Sequence, residues 1–219
     1  MEPSGFVAEL RRELDAELIK LDELPVAQPG LAPPEAVIDA LRMALKSELE
    51  ASDIAALWMS TTVELDAKLG LARQCGDEAK HFELIQQRLA DLGAPARGWN
   101  PVAHGYSPLY HYLRTLHSTV ERLAAGQFAR EGIAQKRNRQ FIAWLEQIGD
   151  AATARLYREI VQPEEDAHHA FADQMLHKYA NTPEAQDKAR QALRKTLALA
   201  DELREVAVLR TGLAAIPGS

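Results

Sequence analysis

The sequence predicts an all-α fold, an antiparallel four-helix bundle with an additional helix at each end, and three observations lead there. Apolar residues recur at three- and four-residue spacing in long segments, the pattern of amphipathic helices. Ala, Leu, Glu, Gln and Arg, all good helix formers, dominate those segments. Gly and Pro gather between them, and no stretch alternates in the way a half-buried strand requires.

Taken in order, Phe6, Leu10, Leu14, Leu18 and Leu21 define an amphipathic helix over about 5–23. It is either a packing appendage to the bundle or an exposed arm. Pro25, Pro29, Gly30, Pro33 and Pro34 then break the chain. Helix A is expected from near Pro34, a residue suited to a first helical turn, to about Ser60. Thr61-Thr62-Val63-Glu64 has the spacing of a capping box and should open helix B, which Gly93 and Pro95 stop after Leu92. A long connection over 93–107 leads to Ser107-Pro108, the expected cap of helix C, running to about Gln147. Gly149-Asp150 marks the turn into helix D, about 151–179. Asn181-Thr182-Pro183-Glu184 opens a final helix over 183–210, and the tail through Ile216 to Ser219 is expected to fray. The bundle core is thus about 34–179 of a single domain, 1–219.

Chemistry enters through two phrases, Glu78-Ala79-Lys80-His81 and Glu165-Asp166-Ala167-His168. Residues three apart on a helix share a face, so each phrase aims a carboxylate and an imidazole the same way. A further glutamate precedes each by one helical-hairpin length, Glu48 before Glu78 and Glu131 before Glu165. One Glu from each of two helices and Glu-x-x-His from each of the other two is the set that a dinuclear carboxylate centre uses. Heights along the helices agree. At about 1.5 Å per residue, Glu48 and Glu78 lie roughly 20 and 26 Å from their turn, and Glu131 and Glu165 roughly 27 and 23 Å from theirs. Carboxylates with one imidazole per metal suit Fe(II) or Mn(II). The metal set is therefore Glu48, Glu78, His81, Glu131, Glu165 and His168.

Neighbouring residues are weighed against it. Glu121 lies ten residues before Glu131 and reads as a surface charge. Asp166 with His169 is an alternative register, and otherwise His169 and Asp77 are candidates to orient ligands from outside. Pro163 sits inside helix D, two residues before Glu165, where it removes a backbone hydrogen bond. A kink or π-type bulge is expected there, or else a break between two shorter helices. Cys75, Trp58, Phe82, Phe128, Phe141 and Trp144 read as packing residues, and no single tyrosine among Tyr106, Tyr110, Tyr112 and Tyr157 stands out.

A net charge of −7 argues against general nucleic-acid binding. The single cysteine, Cys75, excludes an intramolecular disulfide, and no segment reads as a signal peptide or as a membrane span. A cytoplasmic setting without membrane association is the expectation.

On Glu48-Leu49-x-Ala51, Asp77-Glu78-Ala79-x-His81-Phe82, Glu131 and Glu165-x-x-His168-His169, the chain resembles the ferritin-like di-iron carboxylate superfamily from about Pro34 to Tyr179. Helix B is most similar to uncharacterised ferritin-like proteins distantly similar to tRNA-hydroxylating di-iron monooxygenases. The resemblance implies two Fe ions (Mn or mixed Fe/Mn as variants), with Glu78 and Glu165 as bridges. It implies an oxidoreductase that activates O2 toward a small substrate, served by an electron-donor protein, in a chain that could form a homodimer. The alternatives are a ferroxidase or peroxide-scavenging protein, or a non-catalytic metal-binding bundle. Pro163 and a Glu131–Glu165 spacing four residues longer than Glu48–Glu78 depart from an even pattern.

Overall fold

The computed structural model describes residues 1–23, 32–96 and 98–211. The proline-rich break at 25–30 and the tail at 216–219 lie outside them. All regular structure among the described residues is helical, and no helix there is long and apolar enough to cross a membrane.

Helix α1 (Pro3–Lys20) begins two residues earlier than the sequence suggests, because Pro3 occupies the first turn, where its missing N–H is not needed. It ends in a 3₁₀ turn, Leu21–Glu23. Phe6, Val7 and Leu10 are fully buried, so α1 is part of the core and not an exposed arm. They pack with residues of α8 and α9 and of the segment before α6, all defined below.

Helices α2 (Pro33–Thr61) and α3 (Leu65–Asp91) pack along each other as a hairpin. The stripe that buries α2 runs Val37, Leu41, Ala44, Glu48, Ala51, Ala55 and Trp58; that of α3 runs Leu71, Gln74, Glu78, His81, Ile85 and Leu89. Polar residues therefore occupy positions that helical spacing assigns to the interior. The expected capping box at Thr61–Glu64 does not form. Buried Thr62 turns its hydroxyl back to the Trp58 carbonyl (2.9 Å) and accepts from Arg122 Nη1 (2.8 Å), while the Glu64 carboxylate accepts from Thr119 Oγ1. Helix α3 starts with no side-chain cap.

The connection after α3 contains Gly93 and Gly105 at φ 78° and 93°, a backbone region that L side chains rarely adopt. Ser107 then caps only a short helix, α4 (Pro108–Leu113), by accepting from the Tyr110 N–H. The expected continuous helix C is broken here. A second N-cap, Ser118, opens α5 (Thr119–Arg122), with the Glu121 carboxylate accepting from the Ser118 N–H at 2.9 Å in a reciprocal capping box. Glu121 is thus half of a cap and not a loose surface charge. The break also moves the start of the long rod from Pro108 to Thr119. Replacing Ser118 by Ala is expected to cost about 1 kcal/mol and, in a chain of this size, to lower the melting temperature by about 2–4 °C, measurable by circular dichroism.

Helix α5 runs on through a π-helical stretch (Leu123–Arg130) into α6 (Glu131–Ile148). Gly149 closes α6 at φ 82°, and Asp150 caps α7 (Ala151–Leu156) through the Thr153 N–H (3.1 Å). A second π stretch (Tyr157–Val161) leads into α8 (Gln162–Tyr179). It immediately precedes Pro163, so the missing N–H is absorbed by a widened turn and the rod is not broken. Thr182 caps α9 (Pro183–Thr211) by accepting from the Ala185 N–H (3.1 Å). Helix α9 lies against α5 and the first π stretch, and Arg190 and Arg194 tie it to Glu9 and Glu13 of α1 at 2.8 Å.

Candidate metal centre

Glu48 comes from α2, Glu78 and His81 from α3, Glu131 from the start of α6, and Glu165 and His168 from α8. The fold brings all of them together, and none is more than 6% exposed. They form two overlapping groups: Glu48, Glu78, His81 and Glu165, and Glu78, Glu131, Glu165 and His168. In each, one ligand-type atom per residue lies within 4.8 Å of all the others. Glu78 and Glu165 belong to both. The two Glu-x-x-His phrases and the two lone glutamates thus converge from four rods, as helix heights predict.

Each imidazole presents Nδ1 to the carboxylates. His81 Nδ1 lies 3.4 Å from Glu48 Oε2, 3.4 Å from Glu78 Oε2 and 3.8 Å from Glu165 Oε1. His168 Nδ1 lies 3.8 Å from Glu78 Oε1 and 3.6 Å from Glu165 Oε2. The opposite nitrogens turn to carboxylates outside the cluster, His81 Nε2 to Glu164 (2.9 Å) and His168 Nε2 to Asp77 (3.1 Å). These pairings cross over. The acidic residue just before the α3 phrase holds the histidine of α8, and the one before the α8 phrase holds the histidine of α3. A histidine that donates Nε2–H to a carboxylate has its Nδ1 lone pair turned inward and made more basic, the outer support typical of metal-bound imidazole.

The register Asp166–His169 is not part of the cluster. Asp166 accepts from Arg139 and Gln162, both at 2.9 Å. His169 does not orient a ligand as expected, because its Nδ1 pairs with the Phe128 carbonyl of the first π stretch at 2.8 Å and its ring stacks on Phe128. Cys75 sits beside Ser52, Sγ to Oγ 3.5 Å, in an apolar cluster.

Three residues in and around the cluster carry no signal strong enough to find in sequence. Gln74 Nε2 donates to Glu131 Oε1 (2.6 Å) and to Glu78 Oε1 (3.3 Å); its place four residues before Glu78 on the buried stripe was the available clue. Arg130 donates from Nη1 to Glu131 (2.9 Å) and from Nη2 to the Ser47 carbonyl and hydroxyl (3.1 and 3.0 Å). Adjacent residues on a regular helix point about 100° apart, so no periodicity argument aims both Arg130 and Glu131 into one site. Tyr157, on the second π stretch, is fully buried with an unpartnered hydroxyl, and the charges of Glu48 and Glu165 act on it.

Burial dominates the electrostatics. It pushes the Glu48 carboxyl up to about 8 despite His81, and it raises Glu165 well above the usual range, with Glu131 and Glu78 adding repulsion. Glu78 is also desolvated, but the closeness of His81 and Glu48 and the Arg130 charge hold it well below the usual range. His81 loses solvation as well, yet Glu48 and Glu78 raise it to about 11. Arg130 supplies one permanent positive charge against four carboxylates.

Whether a cation pair fits can be tested on the polar atoms themselves. Both oxygens of Glu48, Oε2 of Glu78, Glu131 and Glu165, and Nδ1 of His81 and His168 are sealed from solvent without a hydrogen-bond partner. A buried polar atom left unpaired costs on the order of 1–3 kcal/mol, more if charged. Here the unpartnered atoms are the inward-facing oxygens and nitrogens of the ligand set, all acceptors when deprotonated. Metal ions would satisfy those inward-facing atoms together.

Comparison with models of known protein families, with curated proteins and with solved structures finds no match for this chain.

Proposed function

We propose that this chain is a dinuclear metal protein with a ferritin-like four-helix bundle built from α2, α3, the α5–α6 rod and the α7–α8 rod, and that it acts as an O2-activating di-iron oxidoreductase. One observation carries the reading: two buried groups, each of three carboxylates and one imidazole, that share Glu78 and Glu165. Glu48 and His81 would hold one ion, Glu131 and His168 the other, and Glu78 and Glu165 would bridge them. Two Fe(II) ions, if bound there, would supply two electrons for the reduction of O2, with the remaining electrons drawn from the substrate or an external donor. The protein's own part is positional. Glu164 and Asp77 fix the two imidazoles, Gln74 and Arg130 fix Glu131, and the surrounding apolar clusters exclude water.

The test is metal analysis of protein purified without added metal, then mixing of the Fe(II)-loaded chain with O2 in a stopped-flow instrument. Two irons per chain and rapid O2 consumption are expected. One metal or none, with no O2 uptake, overturns the proposal.

A pH dependence follows. Because the Glu48 value is raised from 4.5 to about 8, the metal-free fold binds more protons than the unfolded chain between those values. Its contribution is therefore complete below the lower value and lost as pH rises through about 8. Metal displaces those protons, so apparent affinity climbs with pH. The increase in melting temperature on adding metal is thus expected to be larger at pH 8 than at pH 6, and an increase that shrinks with pH would contradict it.

A further inference from the structure

The two halves of the cluster are not equivalent, although the paired phrases make them look so. Glu48, on the His81 side, has both carboxylate oxygens unpartnered. Glu131, on the His168 side, has only Oε2 unpartnered, because Oε1 already accepts from Arg130 Nη1 (2.9 Å) and Gln74 Nε2 (2.6 Å). The His81 side therefore offers one more protein donor atom. Arg130 is buried and acts most strongly on Glu131 and least on Glu48 among the four glutamates. Its positive charge repels a cation held by Glu131 more than one held by Glu48.

The outer supports lean the same way. Glu164, which holds His81 at 2.9 Å, is itself gripped by Lys80 Nζ at 2.5 Å. Asp77, which holds His168 at 3.1 Å, receives the same ammonium only at 3.4 Å. The His81 imidazole is the more firmly oriented of the two.

We propose that metal loads in a fixed order: the Glu48/His81 half takes the first ion tightly, and the Glu131/His168 half takes the second more weakly because Arg130 and Gln74 already occupy Oε1 of Glu131. This rests on the dinuclear reading above, but it concerns order and cause, which that reading leaves open.

The probe is Co(II), titrated into the metal-free full chain without oxygen and followed by its visible absorption and by calorimetry. Two steps with dissociation constants separated by about tenfold or more are expected, since one buried charge at close range readily produces that factor. Arg130→Gln should narrow the gap to about threefold or less and Arg130→Lys should keep it. His168→Ala should leave the tight step intact, whereas His81→Ala should remove it, and this pair decides the matter even if the Arg130 variants fail to fold. Two equal steps in the wild-type chain, a gap unchanged in folded Arg130→Gln, or a tight step lost in His168→Ala would each overturn the ordered loading while leaving a dinuclear centre in place. No cobalt binding at all would overturn the dinuclear reading as well.

Discussion

Replacing Glu165 by Gln is expected to abolish both metal positions at once while leaving the metal-free fold nearly as stable as before. Glu165 belongs to both ligand groups, so its loss deprives each ion of a donor. Loss of an outer carboxylate alone weakens metal binding about 10–100-fold, so removal of a shared ligand should exceed about 100-fold. The metal-free protein should tolerate the change. Burial and the neighbouring carboxylates already disfavour the charged form of Glu165, and a neutral amide of the same size escapes that penalty, so a change under about 1 kcal/mol is expected. Glu48→Gln and Glu131→Gln each touch one group only, and each should leave one ion bound. Metal content after desalting separates these outcomes. If Glu165→Gln retained one ion, the shared role of Glu165 would be wrong.

A second large effect is expected outside the ligand set, at Gly126, whose carbonyl accepts from the Glu131 N–H. A methyl group at this position would lie 2.6 Å from Cζ3 and 3.1 Å from Cη2 of Trp58. The indole is buried and its N–H is anchored to the Leu113 carbonyl, so the ring has little freedom to retreat. Overpacking of this kind costs about 1–3 kcal/mol, which in a chain of this size lowers the melting temperature by about 2–4 °C for each kcal/mol. Gly70 makes a useful contrast. A methyl there would come within 2.2 Å of the Phe171 ring, but Phe171 is only half-buried and can swing outward, so Gly70→Ala should cost less. Gly126 also lies in the π stretch that ends at Arg130, and its substitution should disturb the Arg130–Glu131 pair and with it the weaker metal step. Trp58→Phe in the Gly126→Ala background is expected to recover part of the loss, since the smaller ring vacates the contested space; strict additivity of the two changes would argue against the contact.

Much of this arrangement is legible before any coordinates. The buried stripes of α2 and α3 run through Glu48, Glu78 and His81, and helical spacing alone requires residues on such a stripe to face inward. The antiparallel turns near residues 62 and 149 set the ligand heights, so convergence at one level follows from the rise per residue. Capping chemistry is less legible. Thr61–Glu64 has the letters of a capping box, yet the Thr62 hydroxyl and the Glu64 carboxylate are taken by Arg122 and Thr119 from another helix. Ser118 and Glu121 form the box that matters, and it splits what looked like one continuous helix.

Spacing over a few residues defines the long helical segments and the buried face of each, though not the breaks within them. The partnerships inside the cluster were decided only by the tertiary structure. Glu164 reaches His81, Asp77 reaches His168, and Gln74 reaches Glu131 across 83, 91 and 57 residues of chain. Those contacts depend on how far α3, α6 and α8 are rotated about their own axes. Two π stretches beside Glu131 and Glu165 alter that rotation by an amount that no regular helical period encodes. The near-symmetry of the paired phrases is local; the asymmetry that Arg130 introduces arises only when the rods pack.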